Sequence, residues 1–174
     1  EDLGTAPEGF QSTLEKAAVL SYRVAWFERD GAAFRPPQHY PHLAAACVTT
    51  HDLPTLAGWW AGDDIEERLS LGLLSADVAA AGRLARAAEK GAFLDALHGA
   101  GALDVEIDAD GPYDPRLAVA AHAFASATPS LLALGQADDC VGETMAVNLP
   151  GTDRERPNWR RRLSADLAAI LASP

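Results

Sequence analysis

The pattern of apolar and polar positions predicts short strands that alternate with longer helices. Ala and Leu recur at helical spacing over residues 75–98, with Gly91 as a candidate break, and a shorter helix is predicted to end near Ala127. Three apolar, β-rich runs are strand candidates, at residues 22–27, 43–50 and 129–135. Strands joined by helical crossovers form parallel βαβ units, so we predict an α/β fold with a parallel sheet.

Turn and capping residues set the predicted boundaries of these elements. Asp114 and Pro115 are suited to the N-cap and first position of the shorter helix, and Ser164 is suited to cap a final one. The segment around Gly31, which is rich in proline, is predicted to be a loop, as is the segment 136–159. Three strands cannot close a barrel, so the pattern predicts part of a larger sheet.

Composition narrows the class of protein. The chain has 174 residues, of which 48% are hydrophobic and 22% charged, as in a globular domain. Its formal net charge of −11 argues against binding to nucleic acid. No apolar run approaches the roughly 20 residues that cross a membrane. Cys47 and Cys140 are too few for a disulfide framework, and no secretion signal is recognisable, so we expect reduced thiols and a cytoplasmic location.

His51 and Asp52 directly follow the second strand candidate. In parallel α/β folds the carboxyl ends of strands present catalytic side chains. Alternatively, Asp52 caps the helix that begins after Pro54. Capping leaves His51 without a role, and the residues alone leave both interpretations open.

Two further polar features are candidates for a site. Glu1 and Asp2 form an acidic pair, which is either a solvated end or, together with Asp52, a source of the two carboxylates that cleave glycosidic bonds. Asn148 lies in the turn "VNLPGT", which either donates amide hydrogen bonds to a site or is only a turn.

The tryptophans and the potential metal ligands do not by themselves indicate a functional site. The four tryptophans could stack on sugar faces, but we predict core packing for at least two of them: Trp26, Trp59, Trp60 and Trp159. The acidic run from Glu106 has Leu117 where a calcium loop needs a bidentate Glu. Cys47 and His51 lack two further ligands for zinc, so no metal site is predicted.

Four strings occur in order along the chain and together are specific for one family: "EDLGTAP", "THDLPTLAGWW", "NLPGT" and "PNWRRRLS". Two more lie at compatible spacing, "SYRVAWFE" and "LLALGQADD". They resemble the amylomaltases, the bacterial 4-α-glucanotransferases, from residue 1 to about residue 170. The resemblance implies that residues 1–174 are the C-terminal portion of a catalytic (β/α)8 TIM barrel, about strands six to eight with their helices.

The resemblance also implies a role for each candidate residue. Glu1 would be the general acid/base at the end of strand five, and Asp52 would stabilise the transition state at the end of strand seven. His51 would hydrogen-bond sugar hydroxyls, Asn148 would line the site, and Asp30 would make a weaker contact. The substrate would be a maltodextrin or another α-1,4-glucan, transferred by a retaining double displacement without a metal or organic cofactor.

One essential residue of that family has no counterpart here. The family's nucleophile is an Asp at the end of strand four, upstream of Glu1, and Asp2 cannot replace it because adjacent strand residues point to opposite faces. We therefore expect that the chain starts where strand five ends, that it needs the missing N-terminal half of the barrel as its partner, and that it is inactive alone. The alternatives are a non-catalytic α-glucan-binding module and a non-functional remnant.

Overall fold

The computed structural model describes residues 6–172, in which helices pack against a small parallel sheet. The strands are β1 (Ser21–Val24), β2 (Arg29–Asp30), β3 (Ala33–Phe34), β4 (Ala44–Cys47) and β5 (Leu132–Leu134). The helices are α1 (Phe10–Lys16), α2 (Leu56–Ala61), α3 (Asp63–Ser70), α4 (Ala76–Gly99), α5 (Arg116–Ser126), α6 (Ala137–Cys140) and α7 (Leu167–Ala172), with a short 3-10 helix at Pro37–His39.

The main sheet has the order β1–β4–β5, and both strand pairings are parallel. This confirms the predicted α/β class with parallel units. Cys47 of β4 lies opposite Val24 on one side and Leu134 on the other. Because the strands are parallel and in register, the segments that follow them leave the sheet at one edge, and the His51–Asp52 dipeptide follows the middle strand.

The predicted loop after β1 contains an antiparallel hairpin formed by β2 and β3. The chain reverses at Gly31, whose φ of 65° is accessible to glycine at little cost. Two-residue strands carry too few residues to show an alternating pattern, which is why the sequence did not reveal them.

Three helix boundaries differ from the predictions. Helix α4 continues through Gly91 without a break, because packing along the helix outweighs the cost of one glycine. Helix α5 begins one residue later than predicted, at Arg116, with Pro115 before it, although the Asp114 carboxylate accepts from the Arg116 amide at 2.9 Å, as predicted for a capping side chain. At α7 the carboxylate of Asp166 accepts from the Ala169 amide, so the expected cap at Ser164 was wrong.

Segment 136–159 is also more ordered than a loop, since α6 lies within it. A buried side chain of that helix, Asp139, is 3% exposed. Its carboxylate accepts from the Leu56 amide at 2.8 Å and lies 3.1 Å from Nε2 of His122. One residue thus joins the start of α2 to α5.

The core lies between β4 and the helices that follow it. Trp59 and Trp60 of α2 are 5% and 1% exposed. The ring of Trp59 stacks on Trp26 with centroids 4.5 Å apart, and Phe93 of α4 lies against both. This burial confirms that at least two of the four tryptophans serve core packing.

We expect opposite effects from alanine at two helical glycines. A Cβ on Gly58 would overlap the carbonyl oxygen of Thr144, whereas a Cβ on Gly91 would meet nothing within 4 Å. Gly58→Ala should lower the free energy of unfolding by roughly 1–3 kcal/mol. Gly91→Ala should raise it by about 0.5–1 kcal/mol. Urea denaturation followed by circular dichroism measures both free energies of unfolding. Equal effects would show that the backbone at Thr144 moves to make room for the added methyl group.

The hydroxyl of Tyr40 should make stability depend on alkaline pH. Tyr40 is 4% exposed and its hydroxyl has no hydrogen-bond partner among residues 6–172. Burial, with a contribution from Glu28, raises the pKa of Tyr40 above its ordinary value of 10.0. The neutral form is thus favoured in the folded state, so its stabilisation is complete below about pH 10 and is lost as the pH rises further.

Tyr40→Phe should therefore weaken the loss of stability above about pH 10. At pH 7 it should be neutral or raise the free energy of unfolding by up to roughly 1 kcal/mol, because an unsatisfied hydroxyl is removed. Melting temperatures of wild type and variant between pH 7 and 11 measure the difference. Identical pH profiles would contradict the assigned burial.

Candidate active site

The turn that follows β4 presents His51 and Asp52. Val48, Thr49 and Thr50 continue the buried path of the strand, whereas the side chains of His51 and Asp52 are 49% and 38% exposed. Thr50 holds the turn, since its Oγ1 accepts from the Asp52 amide at 3.2 Å. The arrangement places an imidazole and a carboxylate at the carboxyl end of the middle strand.

The carboxylate of Asp52 lies close to two other predicted site residues, His51 and Asn148. Asn148 donates from Nδ2 to Oδ1 of Asp52 at 2.6 Å, although the two residues are 96 positions apart in the chain. Nε2 of His51 lies 3.4 Å from the same oxygen. The fold therefore brings together His51, Asp52 and Asn148.

The interpretation of Asp52 as a helix cap is wrong. Helix α2 is capped by Thr55, whose Oγ1 accepts from the Gly58 amide at 3.1 Å. Thr55 stands directly before the helix, whereas Asp52 precedes it by too many residues to reach its first amides. The carboxylate of Asp52 is directed to Asn148 instead.

Trp159 forms one wall beside these residues. Its ring centroid lies 5.2 Å from that of His51, and the residue is 61% exposed. Its backbone has a φ of 61°, unusual for a bulky residue, and its amide donates to the carbonyl of Val147 at 2.9 Å. Of the four tryptophans, this one has an open ring face at the site.

A cavity of about 440 Å³ opens next to this wall. Its lining includes Asn148, Trp159 and Arg156, and most of its other side chains are polar or charged. The volume is in the range of small-ligand sites.

Asp30 lies in the β2–β3 hairpin and is held by other charges. Its Oδ1 pairs with Arg35 at 3.3 Å, and Arg35 also pairs with the buried Glu28 at 2.7 Å. Within residues 6–172, no hydrogen bond or ion pair joins Asp30 to the site at Asp52. Glu1, the predicted general acid/base, lies outside the described residues.

Sequence reasoning did not single out the residues that support the site. Arg156, Asn158 and Asp139 make side-chain hydrogen bonds that fix the segments around it. Arg156 stands in a run of charged residues, where exposure is the usual expectation, yet it is 4% exposed. The sequence contained one indication of these residues, because Asn158 lies in the string "PNWRRRLS", which contributes to the family resemblance.

The described residues form neither a metal-ligand cluster nor a membrane-spanning helix. Between residues 6 and 172, no group of three or more His, Cys, Asp or Glu side chains is placed to hold a metal ion. No helix in that range combines the length and the apolar character needed to cross a membrane.

Comparison with known proteins identifies the family. The family model for 4-alpha-glucanotransferase, glycoside hydrolase family 77, matches residues 1–168. A 4-alpha-glucanotransferase of Mycobacterium tuberculosis is 37% identical over 167 residues, which cover 92% of this chain and 22% of that protein. One from Haemophilus influenzae is 30% identical over 179 residues, covering 99% of this chain and 25% of that protein.

A solved structure agrees with the sequence relatives. The crystal structure of amylomaltase from Corynebacterium glutamicum superposes with a TM-score of 0.81 and 34% identity, over 93% of this chain and 24% of that one. The chain thus spans about a quarter of the length of the relatives it matches. Since the family model matches residues 1–168, the chain belongs to the 4-α-glucanotransferases of glycoside hydrolase family 77.

Proposed function

We propose that residues 1–174 form the C-terminal part of the catalytic (β/α)8 barrel of a 4-α-glucanotransferase. In this assignment β1, β4 and β5 are barrel strands six, seven and eight. The parallel order β1–β4–β5 supports it, because consecutive barrel strands must be parallel neighbours. The similarity to about a quarter of an amylomaltase is also what a barrel portion requires.

The observation that carries the proposal is the fixed carboxylate of Asp52 at a strand end. Its 2.6 Å hydrogen bond from Asn148 restrains the side chain before substrate arrives. A preorganised carboxylate stabilises the positive charge that develops at the anomeric carbon during glycosyl transfer. His51, at 3.4 Å from the same carboxylate, would hydrogen-bond sugar hydroxyls on that side.

The reaction would be a double displacement between α-1,4-glucans. Glu1 protonates the oxygen of the departing maltodextrin while the upstream Asp of the barrel attacks the anomeric carbon, and a glucosyl–enzyme ester forms. Glu1 then removes the proton from the 4-hydroxyl of the acceptor sugar as that oxygen displaces the ester. Asp52 stabilises both transition states, Asn148 lines the site, and Asp30 makes an outer contact. No metal or organic cofactor takes part.

The partner of this chain would be the remaining, N-terminal part of the barrel. Among residues 6–172, strand β5 has one parallel neighbour, and the leucines in and next to it are exposed: Leu131 by 52%, Leu132 by 49% and Leu134 by 42%. An exposed apolar edge strand favours pairing with further strands. Without those strands the nucleophile is also missing, so the isolated chain is proposed to be inactive. Its proposed location is the cytoplasm.

A chimera tests the catalytic assignment. Corynebacterium glutamicum amylomaltase would receive this chain in place of its matching quarter and be assayed for disproportionation of maltotriose. Asp52→Asn should lower kcat/KM on the order of a thousandfold, about 4 kcal/mol of transition-state stabilisation. Glu1→Gln should abolish transfer, because no general acid remains.

Asp104→Asn is the control, since Asp104 is an exposed carboxylate away from β4, and it should keep full activity. A small effect of Asp52→Asn on rate with a large fall in melting temperature would assign Asp52 a structural role. An inactive chimera that is assembled and monodisperse would contradict the function itself.

One observation favours a second candidate function, a glucan-binding module without catalysis. Trp159 is 61% exposed beside His51, and exposed aromatic faces stack on sugar rings. In this case the isolated chain should bind maltoheptaose by isothermal titration calorimetry. His51→Ala should weaken that binding at least about tenfold, by roughly 1.4 kcal/mol.

His39→Ala provides the matched control for this titration. His39 is an exposed histidine in the 3-10 helix before β4, whereas His51 follows that strand. Absence of binding by the isolated chain, or equal losses in both variants, would leave the catalytic assignment as the better one.

A further inference from the structure

Arg156 is a buried cation whose hydrogen bonds reach three residues, one in α3 and two in the segment 146–159. It is 4% exposed. Nε donates to Glu67 of α3 at 2.8 Å, one terminal nitrogen donates to Oδ1 of Asn158 at 2.7 Å, and the other donates to the carbonyl of Ala146 at 2.6 Å. The guanidinium therefore attaches the segment 146–159 to a helix outside it.

Asn158 extends this attachment along the same segment. Its Oδ1 also accepts from the Leu149 amide at 3.1 Å. Its Nδ2 donates to the hydroxyl of Thr152 at 2.8 Å and to the carbonyl of the same residue at 3.1 Å. Arg156 is thus linked directly to Ala146 and through Asn158 to Leu149, one on each side of Asn148.

Both contacts from this segment to the site depend on positions next to these anchors. Asn148, between the two anchored residues, donates to Asp52 at 2.6 Å. Trp159 follows Asn158 and places its ring centroid 5.2 Å from that of His51. The amide of Trp159 donates to Val147, so the two ends of the segment are also joined.

A guanidinium suits this position better than any other side chain. It carries five N–H donors in a rigid planar fork, which matches acceptors that lie in different directions. The ammonium of a lysine is a single point at the end of a flexible stem and cannot reproduce that geometry. A buried ion pair is a weak source of stability when compared with apolar residues of similar size, so its geometry is the more informative feature.

We propose that Arg156 is a positioning residue of the glucanotransferase site, which holds Asn148 in place to restrain Asp52. Arg156 itself contacts neither Asp52 nor His51 by any hydrogen bond or ion pair of the described chain. The inference rests on the proposed function, because its consequence is measured as a rate of glucosyl transfer.

The test compares Arg156→Lys in two backgrounds of the chimera described above. With Asn148 present, Arg156→Lys should lower kcat for maltotriose by about tenfold to a hundredfold, since small displacements of a restraining group have effects of this size. KM should change by less than about threefold, because the acceptor and donor surfaces remain. With Asn148→Ala present, the same substitution should lower kcat by less than about threefold, because the hydrogen bond from Asn148 to Asp52, through which Arg156 is proposed to act, is already absent.

Arg162→Lys is the matched control, an exposed arginine six positions after Arg156, and it should leave kcat unchanged. Unchanged kcat in Arg156→Lys, or equal losses with and without Asn148, would overturn the proposal. If Arg156→Lys does not assemble, Glu67→Gln repeats the comparison, because it weakens the anchor of the same guanidinium from α3. Failure of both variants to assemble would show a purely structural role and also overturn it.

The same assays separate this proposal from the proposed function. An assembled but inactive chimera with no substitution would overturn the function, whatever the result at Arg156. Full activity of Asp52→Asn would overturn the role of Asp52, and with it the positioning role of Arg156, but not the function. Loss of activity in Asp52→Asn together with full activity in Arg156→Lys would overturn only the positioning role.

Discussion

The candidate site depends first on the buried carboxylate of Asp139. It accepts the Leu56 amide, which is one of the unpaired donors at the start of α2, and it lies within hydrogen-bond distance of His122 on α5. A buried amide without an acceptor costs about 1–3 kcal/mol, so this contact fixes where the helix begins. Since α2 starts close after Asp52, the direction in which the chain leaves β4 is fixed with it.

A second set of contacts fixes the opposite side of the site. The backbone at Thr144 lies so close to α2 that only a glycine fits at position 58. Beyond that contact, Arg156 attaches the following segment to Glu67 of α3. Asn148 is therefore carried by a segment restrained at two places, and its hydrogen bond to Asp52 joins that segment to the turn after β4. Such support is what keeps a functional side chain in one geometry.

The sequence predicted the elements that have local signals. The long helix α4 was predicted because its apolar residues recur at helical spacing, and β4 because it lies in a short apolar run. The strings around Asp52 and Asn148 indicated the family. The sequence could not reveal contacts between distant residues that leave no periodic trace, such as the 83 positions between Leu56 and Asp139. Asp52 shows the difference, because an Asp before a helix satisfies the capping pattern, and only the fold directs its carboxylate to Asn148.

The candidate site and the edge of the sheet depend on different interactions. Asp52 follows the middle strand, and the hydrogen bonds that hold it come from Thr50 and Asn148. Strand β5 instead lies at the edge of the three-stranded sheet, with its leucines exposed. The geometry at Asp52 thus depends on a tight turn and on one contact between distant residues, and neither involves β5. The exposed apolar edge at β5 is available for pairing with a further strand.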